Sequence, residues 1–227
     1  MRRPLITIVS VLLAVMAFAQ APQQHRLDVG GHAGVTLSKI KFNPTVPQSM
    51  KTGMTAGVML RYIAERNFGL VAELNVVQRG WKESFEQSDY RYNRCFTYLE
   101  LPIMTHIYFG GQRVKGFFNL GPELNVMLSE GISSNFDYHM AGDLEYFKSD
   151  ARHIEQLSLD VSNKLDYGIC IGAGMELSLN PRHSLLLEGR FYYGLTDVFP
   201  NHKTDIFSGS SSMTVAVTLG YMFNLTR

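Results

Sequence analysis

Eleven ionisable side chains sit inside otherwise apolar segments of this 227-residue chain: Asp28, His32, Arg61, Glu73, Glu100, His106, Glu123, Asp166, Glu176, Glu188 and Arg190. Carboxylates and histidines are the raw material of general acid–base catalysis, and a serine–histidine–acid set would support acyl transfer. The spacing supports neither chemistry. The seven histidines are scattered, and no HxxxH or CxxC pattern offers a metal site. His139, His153 and His202 have serines nearby, but they stand in long polar connections where such neighbours arise by chance. No catalytic set, metal or cofactor is expected. What remains is two arginines among seven carboxylates, a set suited to ion pairing in a confined polar space.

The elements that would position these groups are strands. Alternation with period two recurs eight times, over about 26–38, 53–63, 68–79, 96–109, 116–128, 165–179, 183–196 and 212–225. In "FTYLELPIMTHIYF" (96–109), Leu99, Leu101, Ile103, Ile107 and Phe109 share one face. Tyr98, Glu100, Met104, His106 and Tyr108 share the other. In all eight segments the apolar face carries no charge, and every ionisable side chain falls on the opposite face with most of the glycines. Runs of about 9–13 residues are long for soluble strands and suit a tilted bilayer crossing.

The connections alternate in length. Glu65-Arg66-Asn67, "GGQRV" (110–114) and Asn180-Pro181-Arg182 read as hairpin turns, whereas 39–52, 80–94, 129–164 and 196–211 are long. Both chain ends fall on the short-turn side, which is the sidedness of an outer-membrane barrel with periplasmic turns and external loops. Backbone groups in hydrocarbon need protein partners, so the sheet must close. The expected fold is therefore all-β, an eight-stranded antiparallel up-and-down transmembrane barrel. Eight strands leave a lumen wide enough only for side chains, filled by the eleven polar groups above. Glu100 should find a donor there, an arginine from a neighbouring or facing strand. Acids in excess of arginines should hydrogen-bond to Tyr, His, Asn or water. Tyr62, Phe68, Phe109, Phe118, Tyr221 and Phe223 lie on the apolar face near the short turns, as a periplasmic aromatic girdle would. Pro102 and Pro122 are unusual in a sheet without edges and should mark bulges or lost ladder bonds. Cys170 points inward and Cys95 outward, so no bridge between them is expected.

The N-terminus has a separate role. Arg2 and Arg3, an apolar run and Ala17-Phe18-Ala19 form the order of a cleaved secretory signal, residues 1–19, with a mature chain from Gln20. A formal charge of +1 gives no reason to expect nucleic acid as a partner. The expected surroundings are the cell outer membrane, with its lipids and lipopolysaccharide, reached through barrel-insertion machinery, and the expected state is a monomer. Loop 129–164 is acidic, with Glu130, Asp137, Asp143, Glu145, Asp150, Glu155 and Asp160 against Lys148, Arg152 and Lys164. Residues 143–159 could form an amphipathic helix through Leu144, Phe147, Ala151, Ile154 and Leu157. The loop could bind a protein partner or bridge divalent cations, or be a lid without a ligand.

"YLELPIM" (98–104), "NLGPELNVMLS" (119–129) and "LDYGICIGAGMEL" (165–177) together resemble the PorT-like outer-membrane β-barrel family of Bacteroidetes-type bacteria, over roughly 26–225. The resemblance makes both prolines family features. It implies a link to protein secretion and gliding, and it brings no catalytic residues with it. The leading reading is a non-enzymatic structural or interaction barrel working through its external loops. An accessory secretion role is the alternative; a small porin, a lipid-modifying enzyme and a soluble lipocalin-like barrel are lesser ones.

Overall fold

The computed structural model describes residues 25–85, 88–148, 154–161, 163–199 and 207–226. The segment 1–19, His153 and His202 lie outside them. Eight antiparallel strands close into a barrel in sequence order, β1 pairing with β8. They are β1 (Arg26–Asn43), β2 (Lys51–Glu65), β3 (Phe68–Ser84), β4 (Arg91–Gly110), β5 (Val114–Ser134), β6 (Leu165–Ser178), β7 (His183–Asp197) and β8 (Gly209–Asn224).

In the lower part of the barrel, near the short turns, apolar side chains point out and polar ones in. On β1, Val29, Val35 and Leu37 are exposed while Asp28, His32 and Thr36 are buried. From Leu27 to Leu37 this outward row covers roughly 33 Å of strand. At a tilt of ~40° that is about 25 Å of height, the thickness of an apolar barrel band.

Several strands run further than the alternation indicated. β1 continues to Asn43, β3 to Ser84 and β5 to Ser134, and β4 starts at Arg91, so much of what read as loop is paired sheet. The pattern changes sense there. Beyond Leu37, Lys41 points out and Ile40 and Phe42 point in; beyond Val76, Gln78 and Lys82 point out and Trp81 points in. Outside the band the wall faces water, so the apolar side chains move to the interior. A search for apolar-out strands stops where the solvent changes.

The prolines interrupt hydrogen bonding without making bulges. The β3–β4 ladder runs Ala72↔Ile103 then Asn75↔Glu100, skipping the rungs beside Pro102. The β4–β5 ladder likewise runs Pro102↔Glu123 then Thr105↔Leu120, skipping those beside Pro122. Register is unchanged across both gaps. At the second, a Cβ on Gly121 would lie 2.0 Å from the Ile103 carbonyl oxygen, so glycine lets β4 and β5 close beside a residue that cannot donate. True register shifts lie elsewhere, at Ile63/Glu65, Thr97/Tyr98 and Tyr193/Asp197.

The helix expected over 143–159 is not continuous. The described parts form a 3-10 stretch at Tyr138–Asp143, a single turn at Glu145–Lys148 and another 3-10 turn at Glu155–Leu157. Phe147 and Leu157 are both buried in the aromatic cluster above the lumen, and packing there takes precedence over helical periodicity.

Candidate functional site

The lumen is organised around three arginines, buried Arg61 and Arg79 and part-buried Arg190, each gripping two carboxylates. Arg61 on β2 stands directly opposite Asp28 on β1 and donates to it at 2.9 Å. The same guanidinium reaches across the lumen to Glu176 on β6, at 2.6 and 3.2 Å. Arg190 on β7 donates to Glu188 on its own strand at 2.8 Å and to Glu73 on β3 at 2.7 and 2.8 Å. Arg79 on β3 donates to Glu123 on β5 at 2.6 Å and to Glu100 on β4. Its guanidinium also lies 4.0 Å from the centre of the Tyr192 ring. A planar fork with five donors suits this bridging between strands, and lysine would not reproduce it.

The remaining groups fill the gaps. Asn75 donates to Glu73 and Asn119 to Glu188, both at 2.9 Å. His106 pairs with Asn119 at 2.7 Å, and His32 lies with Nδ1 3.9 Å from Glu73. Asp166 pairs with no arginine among the described residues; it accepts from Tyr192 at 2.9 Å and from Thr196. A void of about 20 Å³ remains beside Arg79, Glu100 and Arg190, space for about one water molecule. All eleven ionisable groups singled out in the sequence thus line one interior. Glu100 does meet an arginine from the neighbouring strand, but it is Arg79, absent from that set. Continuing the alternation of β3 through Val71, Glu73, Asn75 and Val77 would have reached it.

Above the polar stack the long-loop end is closed by aromatic packing. Phe42 meets Trp81, Phe199 and Phe207 with ring centres 5.5, 5.9 and 5.0 Å apart. Arg94 lies over the Phe199 and Trp81 rings, at 5.0 and 5.5 Å, and pairs with Glu130. Tyr92 donates to the Leu157 carbonyl at 2.7 Å, and Gln156 donates to Glu83 at 3.1 Å, tying the long connection down onto the barrel. Glu130, read in the sequence as part of an acidic loop, is a strand residue in this packing. Among the described residues no cluster of three His, Cys, Asp or Glu is placed to hold a metal ion.

On the outer wall, Tyr62, Phe68, Phe109, Phe118 and Tyr221 are exposed toward the short-turn end, and Phe223 is half-buried against His183. Tyr62 is hydrogen-bonded to His25 at 2.8 Å and Tyr221 to His183, so the girdle tyrosines keep polar partners. Both cysteines are free: Cys170 is buried in the lumen, and Cys95 lies on the opposite face of a strand that does not adjoin β6.

Solved structures that resemble this one include small outer-membrane barrels. OprG from Pseudomonas aeruginosa superposes with a TM-score of 0.50 at 10% identity, over 89% of this chain and 96% of that one. Neisserial surface protein A gives 0.46 at 10% identity, over 87% and 98%. The attachment invasion locus protein Ail of Yersinia pestis gives 0.40 at 12%, over 86% and 98%. At such identities the likeness concerns the fold. Among proteins of curated function, none matches the sequence. Residues 18–200 match the family model described as the outer membrane protein beta-barrel domain, and the chain belongs to that family.

Proposed function

We propose that this protein is a non-conducting, non-enzymatic outer-membrane barrel that acts as a structural or interaction protein through its external end. The observation that carries this reading is the closed lumen: three arginine-centred knots fill it, and the aromatic packing around Trp81 seals the outer mouth. The three arginines and six of the carboxylates inside are committed to one another, which argues against both a porin and an open catalytic cleft. Delivery by a signal at 1–19, insertion as a monomer, and contact with lipids and lipopolysaccharide belong to the same proposal. The test is complementation of a deletion strain with a variant whose segment 135–164 is replaced by a short Gly-Ser turn. The shortened barrel should assemble, shown by a heat-dependent gel shift, yet fail to restore the deletion phenotype. Full restoration would overturn a role for the external end.

The second reading, an accessory part in protein secretion, is favoured by the motif resemblance to PorT-like barrels. The motif residues have another explanation. Glu100 of "YLELPIM" and Glu123 of "NLGPELNVMLS" both grip Arg79, and Asp166 of the third motif holds Tyr192, which stacks on Arg79. These motifs build a barrel interior and need no secretion partner to account for them. Loss of secreted cargo in the deletion strain would favour the secretion reading; an unchanged secretome would remove it.

A further inference from the structure

At the short-turn end, below the lumen network, the barrel opens into a basin of about 420 Å³. Its walls include Arg26, Arg113, Lys115, Ser178, Asn180 and Ser184, and among the described residues no carboxylate lines it. Arg26 and Lys115 come from β1 and β5, on opposite sides of the ring. The nearest acids are engaged: Asp28 accepts from Arg26 at 2.7 Å and from Arg61, and Glu176, directly opposite Lys115 in the β5–β6 ladder, is held by Arg61 with Arg26 3.9 Å away. Arg113 and Lys115 have no ion pair among the described residues, and the Lys115 ammonium rests 5.4 Å from the Tyr108 ring centre. The other two short turns add Arg66 and Arg182 against the single acid Glu65. Like charges along the rim of a low-dielectric cup concentrate positive potential inside it.

We infer that this basin binds a carboxylate-bearing peptide presented from the periplasm. Its size is that of a ligand site and far exceeds a single inorganic ion. Cations on opposite walls match several carboxylates spaced along a chain. Ser178 and the side-chain amide nitrogen of Asn180 add neutral hydrogen-bonding groups suited to a peptide backbone. Arg26, Lys115, Ser178 and Ser184 continue the inward-facing rows of Asp28, Phe117, Glu176 and Leu186, whereas the girdle residues Tyr62 and Tyr221 stand on the outer wall. An acidic peptide from the aqueous side is therefore favoured over a phospholipid phosphate.

The test uses the folded full-length protein in detergent micelles and the anisotropy of a fluorescein-labelled tri-glutamate peptide. Binding should saturate, weaken with salt, and not be displaced by tri-glutamine or by millimolar inorganic phosphate. Arg113→Glu should weaken it by about tenfold or more, as expected for losing a charge-assisted contact, and Lys115→Gln should weaken it less. Arg66→Glu, on a turn outside the basin, should stay within about twofold if short-range contacts dominate. Arg113 and Arg66 are exposed turn residues, and a heat-dependent gel shift confirms that each variant is folded. Absence of saturable binding to the wild-type protein would overturn the inference. So would an equal loss at Arg66, which would mean diffuse rim charge, or displacement by phosphate or anionic phospholipid, which would mean a different ligand.

Discussion

Replacing Arg79 with methionine probes the lumen most sharply. The side chain is 2% exposed, donates to two carboxylates on two strands, and stacks on Tyr192. Arg79→Met keeps most of the volume but leaves Glu100 and Glu123 facing each other without a cation in a space with room for about one water. Removing one partner of a buried ion pair costs about 3–5 kcal/mol, and two stranded carboxylates put this case toward the upper end. Trp81 is the only tryptophan and is fully buried above the knot, so its fluorescence reports unfolding without added label. Urea titration of the protein refolded into lipid vesicles should show a destabilisation of that size for Arg79→Met. Adding Glu100→Gln and Glu123→Gln to the same variant removes both stranded charges and should recover at least half of the loss. A single variant within about 0.5 kcal/mol of wild type would refute the account of the lumen. A triple variant no better than the single would refute the charge argument, leaving lost packing against Tyr192 as the cause.

Two further outcomes follow from the ends and faces of the barrel. Phe42→Ala removes a ring shared by Trp81, Phe199 and Phe207, a change of about 3–5 kcal/mol in a packed core. It should open the external packing locally, seen as red-shifted Trp81 emission and new protease cuts in the long connections while the barrel stays heat-modifiable; unchanged emission and cleavage would contradict this. Thiol labelling of the folded protein should add one group, at the outward Cys95, with Cys170 reacting only after unfolding; two additions in the folded state would mean an open lumen.

Much of this architecture was legible because lipid and lumen impose opposite demands on alternate residues. Glu100 is the clearest case: a carboxylate between Leu99 and Leu101 has to face a polar interior, and it does. The partner escaped because Arg79 stands where the apolar-out rule ends. Past Val76 the wall meets water, Trp81 turns inward, and the same alternation continues with its sense reversed. For the same reason the strands outrun the segments read from the sequence. The helix expected over 143–159 fails for a different one, since Phe147 and Leu157 are each drawn into long-range aromatic packing that local periodicity cannot register. Pro102 and Pro122 gave a choice between a bulge and a lost ladder bond. The choice falls to the second, with Gly121 supplying the close approach beside Pro122. The short-turn basin left no motif at all, because Arg26, Arg113 and Lys115 meet only when the ring closes.

The central claim, a barrel with no continuous aqueous path, is tested most directly by planar-bilayer recording. Protein verified as folded by its heat-dependent gel shift should insert without producing stable conductance steps. Reproducible ohmic steps from that same folded preparation would contradict a lumen filled by Arg61, Arg190 and Arg79 and their carboxylates.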